Sequence, residues 1–151
     1  MIITSNSQKD RWRMWDFLKA HGVDIPKSTD FQALGRENKE LALIGVVGYN
    51  GFCGKVCSIH VAGDGNWVSP ELLWAAFDYP FNQLGLNHIF GAVAGDNRKA
   101  QIFDQHLGFR LLSKIPDGWD TGVDLMIYKM SKKDCKWSAK SLSAAKLKEA
   151  A

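Results

Sequence analysis

The chain has 151 residues, 46% of them hydrophobic and 23% charged, with 14 Gly and 4 Pro, a balance that fits one ordinary globular domain and excludes disorder, collagen-like sequence and a disulfide scaffold. At this length roughly two thirds of the unfolded surface can be buried, so a core forms without disulfide or metal staples. Of the 19 Lys and Arg, six (Lys132, Lys133, Lys136, Lys140, Lys146 and Lys148) lie in residues 131–151 against Asp134 and Glu149, leaving 13 basic and 14 acidic side chains in residues 1–130; the net charge of +3 belongs to an appendage, and the rest is no polycation built for nucleic acid.

The opening MIITSNSQKDRWRMWDF has no basic stretch leading into an apolar one, and nowhere do about 18 apolar residues run uninterrupted, so a cytoplasmic protein with no membrane partner is expected. Residues 9–20 place Trp12, Trp15 and Leu18, with Met14, at helical spacing and end at His21-Gly22, the pattern of an amphipathic helix. Residues 23–37, with Pro26, Ser28, Thr29, Asp30 and Gly35, read as loop. Residues 40–49 are a nearly continuous apolar run closed by Asn50-Gly51, which predicts a strand and a tight hairpin turn. A strand over 55–62 follows, with Cys57, Ile59 and Val61 on one face and Val56, Ser58, His60 and Ala62 on the other.

Ser69-Pro70-Glu71 opens a helix with an N-cap, a proline in the first turn and a carboxylate at the positive end. Its inward side carries Leu72, Leu73, Ala76, Phe77 and Leu84, and Pro80 kinks or ends it. A short buried strand follows Gly85, then a helix from Asn97 striped by Ala100, Phe103 and Leu107 and stopped at Gly108. Strands over 109–115 and 123–130, joined by the turn-rich PDGWDTG, form an antiparallel pair. The order specifies a mixed α/β (α+β) domain over 1–130, with a largely antiparallel sheet flanked by helices and a basic, helix-compatible tail over 131–151. Cys53, Cys57 and Cys135 are an odd count with no second Cys or His pair at zinc spacing, so no metal is expected.

Ala94-Gly95-Asp96-Asn97-Arg98-Lys99-Ala100, followed by Gly108-Phe109-Arg110, resembles the GNAT N-acetyltransferase superfamily, and more narrowly the short GNAT-like proteins of tailed bacteriophages. In that family an Asn opens a helix, an Ala follows three residues on, and Gly-Phe leads into a strand; the order of elements from about 40 to 130 is similar too. The resemblance implies acetyl-CoA as co-substrate, its pantetheine arm bonded between two splayed strands, here 58–62 and 88–93, and its pyrophosphate at the loop Gly63 to Ser69. Two positions depart from the family. Aligned from Val61, its glycine-bearing cradle falls on Asn66, Trp67, Val68, Ser69, Pro70 and Glu71, none of them glycine, while Gly63 and Gly65 lie earlier. Its acidic Tyr, four residues before Gly-Phe, is Asp104 here, which reads as a solvated helix residue.

Acyl transfer to an amine needs a base, an oxyanion donor and a proton for the leaving sulfur. His60 is the base candidate, set against a plain packing role, with the N–H of Val61 as oxyanion donor; Ser58, Tyr128 and Tyr49 are the substitutes for the missing acid. Gly63, Gly65, Trp67, Val68, Ser69, Asn97 and Arg98 are the cofactor-binding candidates, with Trp67 either lining the pocket or lidding the core. Trp12, Trp15 and Trp74 read as core, and Trp119, among Asp117, Asp120 and Asp124, as an exposed aromatic facing an acceptor or partner. The expected activity is acetyl-CoA-dependent transfer to an amine, a protein lysine or N-terminus or a small polyamine, with self-association into a homodimer open. The alternative is a catalytically degenerate phage protein of the same fold that binds a host or virion partner in the host cytoplasm.

Overall fold

The computed structural model describes residues 1–137, so the expected tail beyond that point lies outside the described residues. In chain order the elements are β1 (Ile2–Thr4), α1 (Gln8–Ala20), β2 (Gln32–Glu37), β3 (Leu43–Cys53), β4 (Val56–Gly63), α2 (Pro70–Asp78), β5 (His88–Ala94), α3 (Arg98–Leu107), β6 (Arg110–Asp120) and β7 (Val123–Ser131). The strands make one seven-stranded sheet in the order β1-β2-β3-β4-β5-β7-β6. Every neighbouring pair is antiparallel except β4 and β5. The mixed, largely antiparallel architecture expected from the order of elements is thus the one observed.

Each face of the sheet carries its own core. On one face Met14 and Leu18 of α1 pack with Phe31, Ala33 and Val46. On the other, α2 and α3 bury Leu72, Ala76, Phe77 and Leu107 against Val47, Tyr49, Cys57, Ile89 and Tyr128. The Tyr49 hydroxyl donates to the Ala76 carbonyl at 2.6 Å, which satisfies a fully buried phenol and ties β3 to α2. All three cysteines are free thiols; Cys57 is buried and Cys53 exposed. No helix among the described residues is long and apolar enough to cross a membrane.

Four local features differ from the expectation. Residues 32–37, read as loop, form β2 between β1 and β3. This strand shows no alternation because Ala33, Leu34 and Gly35 are all buried, and a Cβ on Gly35 would stand 2.9 Å from the Met14 sulfur. The hairpin turn is at Gly54-Lys55, not Asn50-Gly51; Gly51, at φ +62°, sits in a bulge of β3, where its N–H donates to Asp30 Oδ2 at 2.9 Å. Past α2 the chain widens into a π-helical turn, Tyr79–Gln83, in which the Leu84 N–H reaches the Tyr79 carbonyl. The extra residue turns Phe81 inward and leaves Leu84, expected inside, 40% exposed. Finally, β6 runs on through the expected turn to Asp120, with four residues from Pro116 to Trp119 bulging opposite Asp124 alone.

After β7 the chain folds back to the end of α3. The Trp137 indole N–H donates to the Leu107 carbonyl at 2.8 Å, and its ring stacks on Phe77 at 6.4 Å between centroids.

Glycines set one close approach that matters for the site. The Trp67 ring lies on Gly45 and Gly63, where a built Cβ would come within 2.5 Å and 2.0 Å of indole atoms. Gly63→Ala is therefore expected to lower the unfolding free energy by about 2–3 kcal/mol, measured by urea denaturation, and Trp67→Leu in that background should restore part of the loss.

Candidate active site

β4 and β5 pair over three positions only, Val56 with His88, Cys57 with Ile89 and Ser58 with Phe90. Beyond Ser58 and Phe90 the strands part, each still held on its outer side, β4 by β3 and β5 by β7. The expected separation of 58–62 from 88–93 is present, and it begins one residue after Ser58 and three after His88. Between the parted strands lies a cavity of about 400 Å³ lined by Ile59, His60 and Val61 on one side and Gly91, Ala92, Val93 and Ala94 on the other. It is bounded by both faces of the sheet. Asn97 and, from α3, Ala100, Phe103 and Asp104 close it on one face, and His21, Gly22, Val23 and Asp24 at the end of α1 on the other; Trp119 of β6 also borders it.

His60 points to the α1 face, beside its cross-strand neighbour Gly48, and its Nε2 lies 2.7 Å from Asn50 Oδ1. An amide oxygen only accepts, so Nε2 carries the proton and Nδ1 keeps its lone pair. Burial lowers the imidazole pKa to about 4, which keeps the ring neutral through the physiological range.

Asp104 is not the solvated residue expected. It lines the cavity from α3, its Oδ2 standing 3.8 Å from where a Cβ of Gly91 would be. The carboxylate thus lies over Gly91 of the parted strand at ordinary contact distance. Burial raises its pKa to about 6, the condition under which a carboxyl can hold a proton to give. The two titratable groups thus sit on opposite faces of the opening, displaced in opposite directions.

The loop from Gly63 to Ser69 is held from three sides. The Trp67 indole packs on Gly45 and Gly63 and against Phe103, 6.0 Å away between centroids, so it lids the core and is not among the residues lining the cavity. Gly63 is thereby spent on admitting the indole, and Gly65 at φ +56° makes the turn. Arg36 of β2 donates from Nη1 to the carbonyls of Asn66 and Trp67 at 2.8 and 2.9 Å. The Ser69 hydroxyl accepts from the Leu72 N–H at 3.1 Å and caps α2. Asn97, with its side chain accepting from the Ala100 N–H at 3.2 Å, caps α3 and lines the cavity, while Arg98 is exposed at the same helix end.

Three candidates for the acid stand away from the opening. Tyr128 is buried beneath α3, where its hydroxyl donates to Gln101 Oε1 at 3.1 Å, and Ser58 belongs to the paired stretch; neither lines the cavity, nor does Tyr49. Sequence reasoning missed Arg36, because a β2 residue some thirty positions upstream carries no local signal for the loop it meets. It also missed His21, whose Nδ1 faces the Phe17 carbonyl and whose Nε2 faces Asp64 Oδ1, both at 2.8 Å. With an acceptor at each nitrogen, the Asp64 bond foremost, its pKa is raised; the pair links the end of α1 to the end of β4. Among the described residues no group of three or more His, Cys, Asp or Glu could hold a metal ion.

No protein-family model matches the chain, and no curated protein matches it. Its structure is similar to those of spermidine N-acetyltransferase SpeG from Vibrio cholerae. A single-site mutant of that protein is 16% identical at a TM-score of 0.72, covering 93% of this chain and 99% of that one. The protein in complex with CoA and spermine is 15% identical at a TM-score of 0.69, covering 89% and 96%, and a dodecameric form is 15% identical at 0.69, covering 88% and 94%. The likeness is one of fold: the chain has the seven-stranded, mostly antiparallel sheet and three α-helices of the GNAT-like fold.

The opposed titrations have opposite linkage. Folded His60 binds its proton more weakly than the ordinary imidazole at 6.5, so stability is lost as pH falls from 6.5 toward about 4. Folded Asp104 holds its proton above the ordinary 3.8, so its contribution is lost as pH rises through about 6. In urea denaturation, His60→Gln should flatten the loss of stability between pH 6.5 and 4.5, and Asp104→Asn should be more stable than wild type at pH 8 but not at pH 4.

Proposed function

We propose that the chain is an acetyl-CoA-dependent N-acetyltransferase that acts on an amine by direct attack. The observation that carries this reading is the opening between β4 and β5 with His60 on one face and Asp104 on the other. Nucleophile activation and leaving-group protonation are needed on opposite sides of a thioester, and a through-opening with one titratable group at each side is suited to both.

The residues fit such a co-substrate. The unpaired inner edges of β4 past Ser58 and of β5 past Phe90 offer backbone groups to the amides of a pantetheine arm, as an added strand would. Asn97 borders that path, and the loop through Val68 and Ser69 precedes the positive end of α2. Bound acetyl-CoA supplies the acetyl group as a thioester. His60 accepts from the acceptor amine at Nδ1 while its Nε2–H stays with Asn50. As a weak base it requires the amine to arrive neutral. The Val61 N–H is the oxyanion donor. Asp104 holds a proton on the α3 side, where the departing sulfur needs one, and so takes the role expected of Ser58 or Tyr128.

The acceptor proposed is a small cationic amine. Trp119, 53% exposed, and Asp24 both border the opening, and an aromatic face with a carboxylate attracts ammonium groups. The fold likeness to a protein described with CoA and spermine supports the same choice. The two departures that suggested a degenerate binding protein each have a counterpart here: a proton-holding Asp104 for the missing Tyr, and a loop held from outside for the missing glycines.

Calorimetric titration with acetyl-CoA tests the reading, and absence of binding at millimolar ligand would end it. Given binding, His60→Ala should reduce kcat about a hundredfold with affinity for acetyl-CoA retained; unchanged turnover would remove His60 as base. Asp104→Asn should lower kcat by a similar factor and abolish the decline of kcat above pH 6 that loss of its proton produces in the wild type.

A further inference from the structure

The loop before α2 lacks the glycines with which a phosphate cradle ordinarily turns its amides toward an anion, and the chain has no Lys or Arg between Lys55 and Arg98. Both deficits meet at Arg36. Its Nη1 accepts no hydrogen bond and donates two, to the carbonyls of Asn66 and Trp67. In a trans-planar peptide the C=O of one residue and the N–H of the next point in opposite directions. Drawing two successive carbonyls to one nitrogen therefore turns the N–H groups of Trp67 and Val68 away from Arg36, side by side. Successive amides facing one way are an anion-binding arrangement, reached here by an external clamp instead of glycine torsions.

The surroundings agree with that use. The segment cannot roll, because the Trp67 ring is seated on Gly45 and Gly63. Ser69 fixes its junction with α2, whose positive end faces the same segment. Two carboxylates flank the loop. Asp64 is matched by His21 at 2.8 Å; Glu71, in the first turn of α2, leaves the guanidinium of Arg36 as the charge that makes the segment hospitable to an anion.

We infer that Arg36 is the positioning residue for the pyrophosphate of CoA, holding the carbonyls of Asn66 and Trp67 so that the amides of Trp67 and Val68 are presented outward as its donors. This rests on the acetyl-CoA reading above and adds to it a residue from a different strand.

The test compares two ligands that differ in the pyrophosphate. CoA binding is measured by calorimetry, and binding of pantetheine, which lacks the pyrophosphate and the nucleoside, by amide chemical-shift titration, on wild type, Arg36→Met and Arg36→Lys. Arg36→Met should weaken CoA about tenfold or more while leaving pantetheine within about twofold. Arg36→Lys, which keeps the charge but loses the planar guanidinium and its reach, should fall between; should Arg36→Met not fold, the same selective loss of CoA in Arg36→Lys carries the test. Equal CoA affinity in the variants overturns the inference, as does a parallel loss of both ligands, which marks a damaged opening. Wild type that binds no CoA overturns the acetyltransferase reading itself.

Discussion

Two strands at the centre of the sheet stay bonded for only three residues, and the rest of the structure is arranged around that interruption. A pair of strands that part expose donors and acceptors that nothing in the sheet satisfies, a costly state unless something else fills the gap. The fold tolerates it because β4 and β5 each keep a full antiparallel partner on the outer side. Helices α2 and α3 then bury one face and α1 covers part of the other, so the opening survives as a cavity crossed by neither core. A single parallel pairing in an otherwise antiparallel sheet supplies the means, since the α2 crossover lets β5 leave β4 without unpairing β3.

Burial in that opening acts on two side chains with contrary results. Desolvation disfavours charge whatever its sign, so it lowers the imidazole and raises the carboxyl. His60 is thereby neutral and Asp104 inclined to hold its proton, an inversion of their order in water. The geometry assigns them to different faces. Pairs of groups driven apart in this way are how one site supplies both an acid and a base near neutral pH.

The loop before α2 shows how a local requirement can be met from a distance. Its glycines are committed to the Trp67 ring and to a left-handed turn, and its orientation is imposed by a guanidinium from β2. The bulge at Gly51 is of the same kind: a residue with an evident local meaning, a hairpin turn, is used for a different end because Asp30 offers its N–H a partner.

What the sequence determined by itself were the features governed by contacts a few residues apart. The spacing of Met14 and Leu18, the caps at Ser69 and Asn97, the stop at Gly108 and the alternation along β4 all lie within one element, and each was legible there. The element order then specified the mixed sheet, and His60 could be placed on the polar face of the strand that borders the opening. Tertiary structure alone decided the rest. β2 is buried on both faces and so has no period to read; Asp104 has its carboxyl pKa raised because the assembled fold buries it beside the parted strands; Tyr128 is drawn under α3 by Gln101; and Arg36 meets Asn66 and Trp67 only when β2, β3 and β4 align. Desolvation and long-range hydrogen bonds depend on which surfaces meet, and that is a property of the assembled sheet, which no stretch of chain carries alone.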